Sequence, residues 1–123
     1  MAEDSVADAN ATRDETSLRV DETFSLLSDR YRRHVLACLD GQPEPVPLER
    51  LTDEVAGREF QQPPDQVSML KRTEIATTLH HNHLPKLEAA GTLTYDSEEG
   101  KVTEITIEDP LRRFLDQVRR DEG

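Results

Sequence analysis

Three histidines within four positions, His80, His81 and His83, sit just ahead of Pro85 in the stretch TLHHNHLP. Imidazole offers three kinds of chemistry here. It can ligate a metal, carry a proton near neutral pH, or hydrogen-bond a base edge or a buried partner. On a wheel of 3.6 residues per turn the three do not cluster. Ala76, Leu79, His80, His83, Leu84, Leu87 and Ala90 share one arc of about 140°, the width of an ordinary buried face. His81 points away from it. A zinc site needs three or four converging ligands. His80 and His83 offer two, and His34 and Cys38, four residues apart on an earlier helix, offer two more, but nothing in the spacing brings the pairs together. The simpler reading is that His80 and His83 hydrogen-bond at the core or its edge and fix this helix against its neighbours, with pH sensing as the alternative. No metal is expected.

A second group lies outside the buried arc. Thr77, Thr78, His81 and Asn82 are short polar side chains on the exposed side of the same helix. A carboxamide there can bond an adenine edge bidentately. Lys71, Arg72 and Lys86 flank them and can take phosphates. These seven residues form the candidate DNA-binding set, weighed against a merely solvated face. Pro85 lacks an N–H and its ring meets the carbonyl of His81, so the helix is expected to be disturbed between 81 and 85.

Catalytic arrangements are absent. There is no Gly-rich phosphate loop, no Gly-x-Ser-x-Gly and no His-Glu-x-x-His. Cys38 is the single cysteine, so no intrachain disulfide forms. The chain is not expected to be an enzyme or to hold a cofactor or small-molecule ligand.

The elements that must position these residues follow from periodicity. Ser28 or Asp29 can cap a first helix with Tyr31, Val35, Cys38 and Leu39 on one face, ended by Gly41. QPEPVP cannot be helical. Pro47 then suits the first turn of a second helix carrying Leu48, Leu51, Val55 and Ala56. GREFQQPPDQVSML reads as a loop of about a dozen residues, long for a DNA-binding helix pair. A third helix starts near Val67–Lys71 and runs to Ala90 before Gly91. Leu93 and Tyr95 alternate, a polar turn 96–100 follows, and Ile105 and Ile107 alternate, which is a hairpin. Pro110 opens a last helix with Leu111, Phe114, Leu115 and Val118 at helical spacing. That stripe serves either as a lid on the core or as a dimer seam. A homodimer on a palindromic site is expected. Arg30, Arg32 and Arg33 read as a solvated helix face pairing with Asp29, ahead of a phosphate clamp.

Composition adds a constraint. The 123 residues carry a net charge of −11 with 34% hydrophobic residues. Residues 1–22 hold Glu3, Asp4, Asp8, Asp14, Glu15, Asp21 and Glu22 against Arg13 and Arg19, so they are expected to form a disordered acidic tail. Lys71, Lys86 and Lys101 are the only lysines among 15 basic residues. High acid and low lysine fit a surface adapted to high salt, where long-range repulsion is screened within about 3 Å. Acidity then loses force as an argument against DNA. No apolar run reaches membrane-span length and no signal peptide is evident, so a cytoplasmic location is expected.

Helix, helix, helix, hairpin, helix is the order of a winged helix-turn-helix. The stretch LPKLEAAGTL, 84–93, resembles the end of the recognition helix in bacterial and archaeal winged-helix regulators, including the ArsR-like group. Those show Leu-x-x-Leu-Glu-x-x-Gly-Leu-Ile ahead of the wing. LLSDRYRRHVLACL resembles their first helix. With HNHLPKL, the region 24–107 resembles small haloarchaeal winged-helix proteins, mostly of unassigned function. That resemblance implies a mainly α fold with a small β-hairpin and, by default, binding to double-stranded DNA.

The expected organisation is a tail at 1–22, a winged-helix domain at 23–108 and a C-terminal helix at 109–123. The expected function is a DNA-binding transcriptional regulator whose third helix, about 70–90, enters the major groove. The alternative is a winged-helix protein-interaction module, favoured by the long loop and by the acidic wing tip of Asp96, Glu98 and Glu99.

Overall fold

Only Ser28 and Asp29 separate the first two helices. Asp29 is the cap: its Oδ1 accepts from the backbone N–H of Tyr31 at 2.8 Å and of Arg32 at 3.3 Å. That satisfies two of the orphan donors at a helix start. The computed structural model describes residues 20–122. The helix before the break, α1, occupies 20–27 and buries Thr23, Leu26 and Leu27. The acidic tail was expected to run to 22, so its last residues are helical instead, and 1–19 lie outside the described residues. The reason is a contact beyond the cap. Arg32 donates from Nε to the carbonyl of Leu26 at 2.9 Å and from Nη2 to that of Ser25 at 3.0 Å, and Arg33 donates to that of Leu27 at 2.8 Å. These are carbonyls of the last turn of α1, where the helix supplies no regular partner, and that of Ser25 also accepts from the N–H and hydroxyl of Ser28. Arg32 is 6% exposed, not part of a solvated face.

The second helix, α2, spans Arg30–Leu39 and buries Val35, Leu36 and Leu39. A two-residue strand, β1 at Val46–Pro47, follows within the proline-rich stretch. Val46 pairs with Val102, and Pro47 leads directly into α3 at Leu48–Phe60. This helix runs one turn past the expected Ala56. It ends at Gln61, in the left-handed region at φ 52°. A Cβ on Gly57 would lie 3.2 Å from the carbonyl of Gln62, so a residue without one suits the chain reversal. The connection to the next helix is therefore 61–68, with a 3-10 turn at Pro64–Gln66 and Val67 buried in the core. That is shorter than the expected dozen.

The third helical stretch is continuous but not uniform. It comprises α4 at Met69–Thr78, a π-helical turn at Leu79–His83 and α5 at Leu84–Ala89. Ser68 caps it, its Oγ accepting from the N–H of Lys71 at 3.1 Å. The N–H of Leu84 bonds to the carbonyl of Leu79, five residues back. Pro85 disturbs the helix where expected, and the disturbance takes the form of a wider turn, which eases the clash between a proline ring and the carbonyl four residues before it.

Two further strands, β2 at Leu93–Asp96 and β3 at Lys101–Ile105, form the hairpin, with a register shift at Thr94/Tyr95. The sheet is antiparallel with order β1-β3-β2. Asp96 Oδ1 accepts from the N–H groups of Glu98 and Glu99 and shapes the acidic turn. The last helix, α6 at Leu111–Glu122, turns its stripe inward: Leu111 and Leu115 are buried, and Phe114 and Val118 pack against the core. Asp40 fastens it by accepting two bonds from Arg112, at 2.9 and 3.2 Å, and one from Arg119 at 2.8 Å. Those bonds hold the Asp40 carboxyl below its usual pKa against the opposing effect of burial. The stripe is thus a lid on a single chain's core. The molecule is mainly helical with a small three-stranded sheet.

Leu84 is 0% exposed in the middle of this arrangement. Leu84→Ala is expected to cost about 2–5 kcal/mol of stability, read from urea or thermal unfolding. An unchanged melting temperature would contradict the orientation of the α4–α5 stretch.

Candidate nucleic-acid interface

The π-helical turn sends the histidines to different neighbours. His80, half-buried, meets the hydroxyl of Tyr95 on β2 through Nδ1 at 2.6 Å. His83 is 3% exposed and faces α2, where its Nδ1 lies 3.4 Å from Nη1 of Arg32. A guanidinium has no acceptor, so Nδ1 accepts and the ring's proton sits on Nε2. Nε2 lies 3.8 Å from the Asp29 carboxylate. His81 is exposed, its ring edge-on to that of His80 at 4.7 Å. The hydrogen-bonded reading of His80 and His83 describes what is seen. His34 takes a separate course, with Nε2 3.1 Å from Glu59, which also pairs with Arg30 at 2.6 Å. Cys38 stays with the core, and burial pushes its thiol up to about 12. Among the described residues, no group of three or more His, Cys, Asp or Glu is placed to hold a metal ion.

Six of the seven candidate residues fall into two adjacent stripes rather than one. Thr77 and His81 lie four apart on the outermost side and both are exposed. Lys71, Thr78, Asn82 and Lys86 lie roughly a quarter turn away at helical spacing. Of these, Thr78 is half-buried and the other three are exposed. Arg72 belongs to neither stripe. It is half-buried toward α3, its Nη1 3.5 Å from Asp53. Lys71 pairs loosely with Glu74 at 3.8 Å. Among the described residues, Lys86 holds no ion pair, and neither His81 nor Asn82 makes a side-chain hydrogen bond. The free polar groups are therefore concentrated at 81–86, in and just beyond the π-helical turn.

The expectation started this set at Lys71 and passed over three exposed residues: Met69, Leu70 and Thr73. The signal was Ser68. A cap at 68 puts Leu70 and Thr73 in register with Thr77, opposite the buried Ile75 and Leu79.

A family model, described as a domain of unknown function (DUF7344), matches residues 24–103. The chain belongs to the DUF7344 family. No curated protein and no solved structure matches it. The DUF7344 match runs from α1 through most of β3, so it takes in the whole α4–α5 stretch and leaves out α6.

Within this DUF7344 domain, His83 carries a testable electrostatic signature. Burial lowers its pKa from the usual 6.5, with Arg32 and Lys86 adding to the effect and Asp29 opposing it. Folded His83 therefore binds a proton less readily than unfolded His83. Stability is full above about pH 6.5 and declines as pH falls from there toward the lowered native value. His83→Gln keeps an acceptor for Arg32 and does not titrate, so it should remove this part of the decline. Urea unfolding of both proteins at about pH 7.5 and about pH 5 checks it. Equal losses in the two proteins would contradict a buried, neutral His83.

Proposed function

We propose that the chain is a DNA-binding transcriptional regulator of winged helix-turn-helix type, with the α4–α5 stretch in the major groove. The observation that carries this reading is topological. Helix α2, strand β1, helix α3, the long third helix and the β2–β3 hairpin follow in that order, and β1 closes the sheet against β3. Two helices then support a third whose outer side is free, the arrangement that places a recognition helix in a groove. His81 and Asn82 supply base-edge donors and acceptors, Thr77 and Thr78 lie beside them, and Lys86 and Lys71 supply phosphate contacts. Arg72 is withdrawn from the proposed contact set because its charge is met by Asp53.

Two-fold assembly remains part of the proposal on a different surface. Leu111 and Leu115 are consumed inside one chain. Phe24 on α1 is 53% exposed and lies 4.7 Å from the ring of Phe114, and this aromatic pair, on a different element from the exposed Met69 and Leu70 of α4, is the surface assigned to a second copy. The competing reading, a protein-interaction module, is favoured by the exposed acidic tip at Glu98 and Glu99, which repels phosphate.

Selection from random duplex DNA at about 1 M salt separates the two, because the −11 charge is screened there. The DNA reading expects an enriched sequence. His81→Ala with Asn82→Ala should then cost about 10- to 100-fold in preference for it, with an unchanged melting temperature. Failure to enrich any sequence would overturn the reading.

A further inference from the structure

The outer side of α4 carries groups that neither phosphate contacts nor base hydrogen bonds use. Met69 is 75% exposed and Leu70 is 68% exposed, far beyond the other large aliphatic side chains of the domain. Thr73 and Thr77 are also exposed. At about 100° per residue these four side chains fall within about 100° of arc, opposite the buried Ile75 and Leu79. Thr77 donates its hydroxyl hydrogen to the carbonyl of Thr73 at 2.8 Å, which leaves no donor for a base edge and keeps its γ-methyl available. The stripe therefore presents a thioether, an isobutyl group and threonine methyls, with no charge among them. Of the charged neighbours, Glu74 pairs loosely with Lys71 and Asp53 with Arg72, while Glu49 of α3 shares a groove with Met69 and Thr73 and stays outside the stripe.

Base edges in the major groove differ in what they ask of such a stripe. Guanine is read by a bidentate cation and cytosine by an acceptor, whereas thymine alone presents a C5-methyl to an apolar side chain. The charge balance points the same way. A chain of −11 gains little from neutralising phosphates, so its affinity for DNA has to draw on neutral contacts. We propose that Met69, Leu70, Thr73 and Thr77 read thymine methyl groups. The half-site then carries a thymine-rich run beneath the N-terminal half of α4, next to the bases met by His81 and Asn82. This inference rests on the DNA-binding reading and names the base class that reading leaves open.

The test uses the full chain and the duplex selected at high salt. Each thymine is replaced in turn by deoxyuridine, which keeps Watson–Crick pairing and lacks the C5-methyl. Binding is followed by fluorescence anisotropy. Each contacted position should lose about three- to fivefold in affinity, the worth of one methyl group removed from water. Leu70→Ser, an exposed substitution, should bind the thymine duplex more weakly and no longer sense deoxyuridine at its own position. It should still respond to the loss of His81 and Asn82. A selected duplex whose binding ignores every deoxyuridine would overturn the methyl readout and leave DNA binding standing. Enrichment of no sequence at all would overturn both.

Discussion

The buried guanidinium of Arg32 is the joint on which the rest of the arrangement depends. A cation with five donors and no acceptor is tolerated inside a protein only where carbonyls or ring nitrogens meet it. Here the carbonyls of Ser25 and Leu26 end α1, and Nδ1 of His83 comes from the π-helical turn. One side chain on α2 thus fixes the helix before it and the helix that carries the candidate site. The position of α1 in turn sets Phe24 against Phe114 and so helps seat α6, whose other fastening is the Asp40 carboxylate.

The same joint explains why the long third helix can tolerate its proline. A widened turn alone would loosen the helix, because it gives up regular bonding. His83 on one side and His80 on the other tie this turn to α2 and β2, while Leu79, Leu84 and Leu87 anchor it from below with no exposed surface. The outward residues Thr77, His81 and Asn82 are therefore held on a rigid element rather than a loop. Rigid presentation is what base-edge recognition needs, since misplaced donors lose the bidentate geometry that discriminates.

What was legible in the sequence was local and periodic. The face of α2, the inward His80 and His83, the outward His81, the disturbance before Pro85 and the hairpin around 96–100 all follow from spacing and turn chemistry. What was not legible depended on contacts between distant groups. Arg32 looks like a surface arginine because its carbonyl partners lie six and seven residues back across a helix break. Strand β1 has two residues, too few to show any period, and exists through pairing with Val102 and Lys101. The stripe of α6 is amphipathic whether it faces its own core or a twin, so its inward destination was not decidable from pattern. In the candidate site, Met69 and Leu70 read as the end of a loop, and only the Ser68 cap and their register against Ile75 place them on the outer side of α4.

These features support one proposal, that a rigid, outward-facing α4–α5 stretch reads double-stranded DNA despite an acidic surface. Genome-wide chromatin immunoprecipitation of the tagged protein, in the organism it comes from and at that organism's own internal salt, tests it most directly. Dilute buffer would misstate the affinity of a chain with this charge. Discrete peaks sharing a two-fold motif are the predicted result. A flat profile, with other proteins recovered alongside the chain, would contradict the account.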